Sequence, residues 1–156
     1  MRSLFLSLLL SAVFVLPAGA AVDTSKLQLP GDITLEQART VVEGALEFAK
    51  KQGVPMNITV VDAGGNLKAF CRMDGAFLGS IDISQKKAVT ARRFNMSSAE
   101  LGALAHPGKE LFGIEATNGG LAIFGGGELL RDRNGVIIGA IGVSGGSVQE
   151  DTNVAK

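Results

Sequence analysis

Apolar residues recur at helical spacing between Thr34 and Gly53, where Leu35, Ala38, Val42, Ala45 and Ala49 share one face. Thr34 and Gln37 are spaced as a reciprocal cap at its start, and Gly53 with Pro55 supplies the stop. From Met56 the period changes to two. Met56, Ile58 and Val60 fall on one face and Asn57, Thr59 and Val61 on the other, which predicts a strand. Asp62-Ala63-Gly64-Gly65-Asn66 is a tight turn, and Leu67 to Met73 is the returning strand, with Leu67, Ala69, Cys71 and Met73 on one face and Lys68, Phe70 and Arg72 on the other. A second helix is expected from a Ser80 cap to Phe94, with Ile81, Ser84, Ala88 and Ala91 inward. A shorter helix covers Ser98 to Ala105, and His106-Pro107-Gly108 ends it. Lys109 to Asn118 is a less regular connection. Strands are expected at Leu121–Phe124, Glu128–Asp132 and Val136–Val143, the last two joined through Asn134-Gly135, and a helix capped by Ser147 closes the chain. The order α-β-β-α-α-β-β-β-α predicts an α+β domain, an antiparallel sheet flanked by helices.

The first twenty residues stand apart from this pattern. Arg2, the apolar run Leu4 to Leu16 and the small residues Ala18-Gly19-Ala20 read as a secretory signal peptide, too short to span a bilayer well. Residues 21–32 then form an N-terminal arm and 33–156 the domain. Cleavage after Ala20 leaves 136 residues, which suits one domain. The expected location is periplasmic or secreted, with no membrane anchor.

Charge is balanced, with 15 basic and 15 acidic side chains and no basic stripe, so nucleic acid is not an expected partner. Cys71 is the single cysteine, so no intrachain disulfide can form. With no Trp, no Tyr and many Ala and Gly, the core of a single copy is modest, which favours a homo-oligomer, a dimer or larger. Ten of the 21 glycines lie between Gly119 and Gly146. So dense a run in strand-like sequence signals positive φ or close approach. Backbone amides converging on the Ser144–Ser147 turn would favour an anion, so that turn is the first place to look for a ligand.

His106, the sole histidine, is either a loop residue that ends its helix or an axial haem ligand. Cys71 is either a small core residue or a reactive thiol. Asp82 and Lys86 are one helical turn apart, either as a surface ion pair or facing the Asp62 and Asp74 loops to line a polar cleft. Arg72 either bridges locally to Asp74 or binds a carboxylate bidentately. Glu150 either caps the last helix or serves as a general base. No phosphate loop, nucleophile elbow, zinc pattern or nucleophile–base pair is present.

Several blocks, taken in order, resemble the GlcG/HbpS family: Ile58-Thr59-Val60-Val61-Asp62-Ala63-Gly64-Gly65-Asn66, Arg72-Met73-Asp74-Gly75-Ala76, Gly79-Ser80-Ile81-Asp82-Ile83-Ser84, Lys86-Lys87-Ala88, Gly119-Gly120-Leu121, and Gly139 to Gly146. The resemblance spans about Ile33 to Ala155. It implies a profilin-like fold that assembles into oligomers, and in several members haem binding. A related domain is fused to cobalamin adenosyltransferases, and other members lie beside carboxylic-acid metabolism. Where the family usually has proline after its Gly-Gly-Leu, this chain has Ala122. For this chain the expectation is an exported protein binding a small molecule, haem or a related tetrapyrrole. His106 would hold the metal, and Arg72, Lys86, Asp74, Asp82, Ser144 and Glu150 would line the site. The alternative is an enzyme acting on a small carboxylate metabolite.

Overall fold

Helix α1 (Leu35–Gln52) starts where the spacing of Thr34 and Gln37 places it. The Gln37 amide donates to Thr34 Oγ1 (3.1 Å), and the Thr34 amide donates to Gln37 Oε1 (2.8 Å). Gly53, in the left-handed region at φ 75°, ends it. The computed structural model describes residues 31–156, so the expected leader and nearly all of the N-terminal arm lie outside the described residues.

Strands β1 (Asn57–Asp62) and β2 (Leu67–Arg72) form the first hairpin. Asp62 Oδ1 holds its turn by accepting from the Gly64 and Asn66 amides, each at 2.8 Å. Next come α2 (Gly79–Phe94), α3 (Ser98–Ala105), a short 3₁₀ turn at Ile114–Ala116, β3 (Gly127–Arg131), β4 (Ile137–Ser144) and α4 (Val148–Ala155). All pairings are antiparallel in the order β2-β1-β4-β3. The α+β class is as the sequence predicts.

Two local expectations are corrected. Ser80 does not cap α2: the helix already begins at Gly79 with no side-chain cap, and Ser80 is buried in its first turn. Leu121–Phe124 is not a strand. Its backbone finds partners on helices instead, since the Ala122 amide donates to Thr90 Oγ1 (3.1 Å) and Ser98 Oγ donates to the Phe124 carbonyl (2.6 Å). Buried backbone groups need partners, and here helical hydroxyls supply them, so no ladder forms.

Helices α1 and α4 cover one face of the sheet, over Ile58, Val60, Ile141 and Val143. Helix α2 lies on the other, over Val61 and Ala140, with α3 packed beside it against β3. β1 is buried on both faces, as expected of a central strand. α2 lies so close to β4 that a Cβ on Gly142 would collide with the Ser84 carbonyl and the Ala88 amide. This helix therefore packs on bare strand backbone. Neither backbone can yield without moving an element, so Gly142→Ala is expected to destabilise by about 1–3 kcal/mol or more, read as a lowered urea midpoint. An unchanged midpoint would contradict the close packing.

Candidate functional site

The register of β1 with both neighbours builds a row across one end of the sheet. Asn57 pairs with Arg72 on β2 and with Ser144 on β4, so these three side chains lie on the α2 face. Asn57 is fully buried, and its Nδ2 donates to the Phe77 carbonyl (3.0 Å) just before α2. Asn57 Oδ1 has no hydrogen-bond partner among the described residues. One step along the strand, Ser84 Oγ donates to the Ile81 carbonyl (2.9 Å), which leaves Thr59 Oγ1 as the donor in its 2.9 Å contact with Ser84. A buried polar stripe thus runs beneath the first turns of α2. It continues outward onto β2, which α2 leaves uncovered: Arg72 is exposed there and Phe70 is 37% exposed. At the start of α2, Phe77 and Leu78 are 71% and 70% exposed. Cation and apolar surface on this strip can receive an amphipathic carboxylate.

Of the residues singled out from sequence, Arg72 and Ser144 fall in this row, and Asp74 lies exposed two residues beyond Arg72. Asp82 and Lys86 pair with each other at 2.8 Å on the open side of α2, where a side chain on Gly120 would meet Lys86 Nζ. An exposed pair of this kind contributes a few tenths of a kcal/mol. No hydrogen bond among the described residues links it to Arg72 or Asp74. His106 is the exposed C-cap of α3, with no hydrogen bond to its ring among the described residues. Glu150 closes the cap of α4: its Oε2 accepts from the Ser147 amide (2.8 Å) and hydroxyl (2.9 Å), and these bonds hold its carboxyl below the usual range. Cys71 is half-buried against the α1 core. Among the described residues no three His, Cys, Asp or Glu side chains cluster to hold a metal ion.

The Ser144–Ser147 turn does gather amides around an anion, but the anion is the protein's own. Asp151 Oδ1 accepts from the Gly145 amide (3.0 Å) and the Gly146 amide (2.9 Å). Asp151 Oδ2 takes Lys87 Nζ at 2.6 Å, and the ammonium also donates to the Val143 carbonyl (2.9 Å). The Phe124 ring lies over it, 4.8 Å from Nζ to the centroid. Burial pushes the Lys87 pKa down, and Asp151 opposes that shift. Sequence reading missed this pair because each residue sits in an ordinary polar context. The signal was positional: Lys87 falls on the inward stripe Ser80, Ser84, Lys87, Ala88 and Ala91, and Asp151 on the stripe completed by Val154 and Ala155. Lys87→Met should cost about 3–5 kcal/mol because it strands a buried carboxylate. Lys87→Met/Asp151→Asn should be more stable than Lys87→Met alone in urea denaturation. Strict additivity of the two single changes would show that the pair is not coupled.

A family model described as "Haem degrading protein HbpS-like" matches residues 33–156. The chain is 39% identical over 132 residues to the "uncharacterized 15.0 kDa protein in dhaT-dhaS intergenic region" of Citrobacter freundii, covering 85% of this chain and 93% of that protein. It is 35% identical over 133 residues to the corrinoid adenosyltransferase PduO of Salmonella typhimurium, covering 85% of this chain but only 39% of that longer protein. Among solved structures, a PduOC:heme complex superposes with a TM-score of 0.74 at 34% identity, covering 80% of this chain and 90% of that one. With the whole described domain matched in sequence and in fold, the chain belongs to the HbpS-like family.

Proposed function

We propose that this protein is exported and oligomeric and binds a small ligand, haem or a related tetrapyrrole. The observation that carries the reading is the likeness, in sequence and in fold, to a domain whose solved complex contains haem. The residues here suit such a group in kind. A tetrapyrrole offers a broad apolar face and carboxylates at one edge. The uncovered strip of β2 and the start of α2 offer Phe70, Phe77 and Leu78 beside the Arg72 guanidinium. Arg72 binds carboxylate bidentately in this reading, and Lys86 is a second cation for the same purpose. His106 is the iron ligand in this reading, since its imidazole is exposed and its ring is not engaged by another described residue. It ends α3, which packs on α2 and β3 at the edge opposite β2, so it reaches the haem on the β2 strip from a neighbouring copy. Bound haem would bring redox and oxygen chemistry, and the protein's part is to hold and orient it.

Titration of haemin into the mature protein should produce a shifted Soret band. His106→Ala should alter that band. Arg72→Ala should weaken binding at least about tenfold, because a charge-assisted hydrogen bond contributes about 1.5–3 kcal/mol. No shifted band in the wild type overturns the reading, and an unchanged band in His106→Ala overturns the ligation.

Export follows from the leader-like residues 1–20, and assembly from the modest core of one copy together with its exposed Phe70 and Phe77. Light scattering on the mature protein should give a multiple of about 14 kDa, the mature share of the 16.1 kDa chain. A clean monomer at low micromolar concentration would count against assembly.

A further inference from the structure

On the α1 side of the sheet the helices leave one strip open. α1 lies over β1 and β2, and α4 packs on β4 and on part of the edge strand β3, so a strip of β3 between the two helices is left open. A trough follows along this strip. It consists of two adjoining hollows of about 470 and 620 Å³ that share Thr40, Val41 and Leu130. Its apolar lining includes Val41 and Phe48 from α1, Leu130 from β3, Ile138 and Ile141 from β4, and Val154 from α4. From Gln37 to Phe48 along α1 it extends about 16 Å at 1.5 Å per residue. Both hollows fall in the volume range of small-molecule sites, about 300–1,000 Å³; the first is mostly apolar, and the second joins an apolar floor to the polar hairpin.

Charged groups stand at both ends: Lys156 lines the α4 end, and Arg131 and Arg133 of the β3–β4 hairpin form a pair of cations at the other. Arg131 donates through Nη1 to the Gly135 carbonyl (2.9 Å), which fixes the guanidinium and leaves its other N–H groups. Arg133 is exposed and makes no side-chain hydrogen bond among the described residues. Asp132, between them, is occupied locally, because its Oδ1 accepts from the Asn134 and Val136 amides, each at 2.9 Å. On the hairpin side the apolar trough therefore ends at two arginines whose intervening carboxylate is turned to backbone.

We propose that this trough binds a single-chain amphiphile with a carboxylate head, a fatty acid. Its alkyl chain lies over Val41, Leu130 and Ile141, and its carboxylate meets Arg131 and Arg133. None of the residues assigned above to haem lines the trough, so this site is independent of that reading. The complementarity that selects a fatty acid is the elongated apolar floor with paired guanidinium groups on the hairpin, since guanidinium suits a terminal carboxylate bidentately where the Lys156 ammonium does not.

The test is calorimetric titration of the mature protein with dodecanoate and with its methyl ester. Saturable binding of the acid is expected, with the ester at least tenfold weaker. Arg131→Ala/Arg133→Ala lies on the exposed hairpin and should weaken the acid at least tenfold, with the haemin titration and the far-ultraviolet spectrum unchanged. Leu130→Asp, if folded by the same spectrum, should abolish binding. Absence of saturable binding overturns the proposal, as does equal affinity for acid and ester. It is also overturned if only a variant lacking residues 21–30 binds, because the trough is then covered by the chain itself. Loss of binding in Leu130→Asp together with a fall in assembly mass overturns it as well, because the trough is then a contact between copies.

Discussion

The ion pair between Lys87 and Asp151 is the constraint around which the end of the sheet is arranged. Two charges taken out of water cost several kcal/mol each, and attraction offsets this only when the remaining donors and acceptors are also met. Here they are met. The lysine has Asp151, the Val143 carbonyl and the Phe124 ring, and the carboxylate has two backbone amides besides the lysine. The pair ties α2 to α4 across the edge of the sheet and fixes where the chain passes before β3. A side chain on Gly126 would meet Lys87 Nζ and the Val143 carbonyl, and one on Gly127 would collide with the Lys87 carbonyl. Gly126, just before β3, thus leaves the space in which the buried ammonium is housed, and Gly127 lets β3 start against the backbone of α2.

The same economy shapes the α2 face of the sheet. Gly142 lets α2 rest on the backbone of β4, and that close approach brings Ser84 within hydrogen-bonding distance of Thr59. Polar residues on a central strand are tolerated because the helix supplies their partners at short range. Asn57 is the exception, with its amide nitrogen bonded to the Phe77 carbonyl and its amide oxygen unmatched among the described residues. The stripe ends where α2 stops covering the sheet, and there Arg72, Phe70 and Phe77 meet solvent. Coverage of the sheet by α2 therefore sets where a ligand can approach this face.

Membership of the HbpS-like family settles the fold much further than the chemistry. The scaffold recurs within a corrinoid adenosyltransferase and in a complex with haem, so the fold alone does not choose a ligand. What distinguishes this chain lies in its side chains: a single histidine at a helix end, an arginine on an uncovered strand, and a hairpin with two arginines beside an apolar trough.

The sequence by itself determined the elements whose signals are local. Thr34 with Gln37 and Ser147 with Glu150 make caps through atoms three residues apart, and the alternation from Met56 to Val61 assigns each side chain to a face. Such patterns need no knowledge of the rest of the chain. Tertiary structure decided everything that depends on partners distant in sequence. Leu121–Phe124 has strand-like residues but takes its hydrogen bonds from Thr90 and Ser98, and so remains irregular. Asp151 reads as a helix-start acid, yet its partner Lys87 is 64 residues away. The row Arg72, Asn57 and Ser144 exists only because antiparallel register aligns three strands. Local chemistry names the groups that could bind or pair; which groups meet is set by packing, because burial, register and close approach are properties of the whole chain.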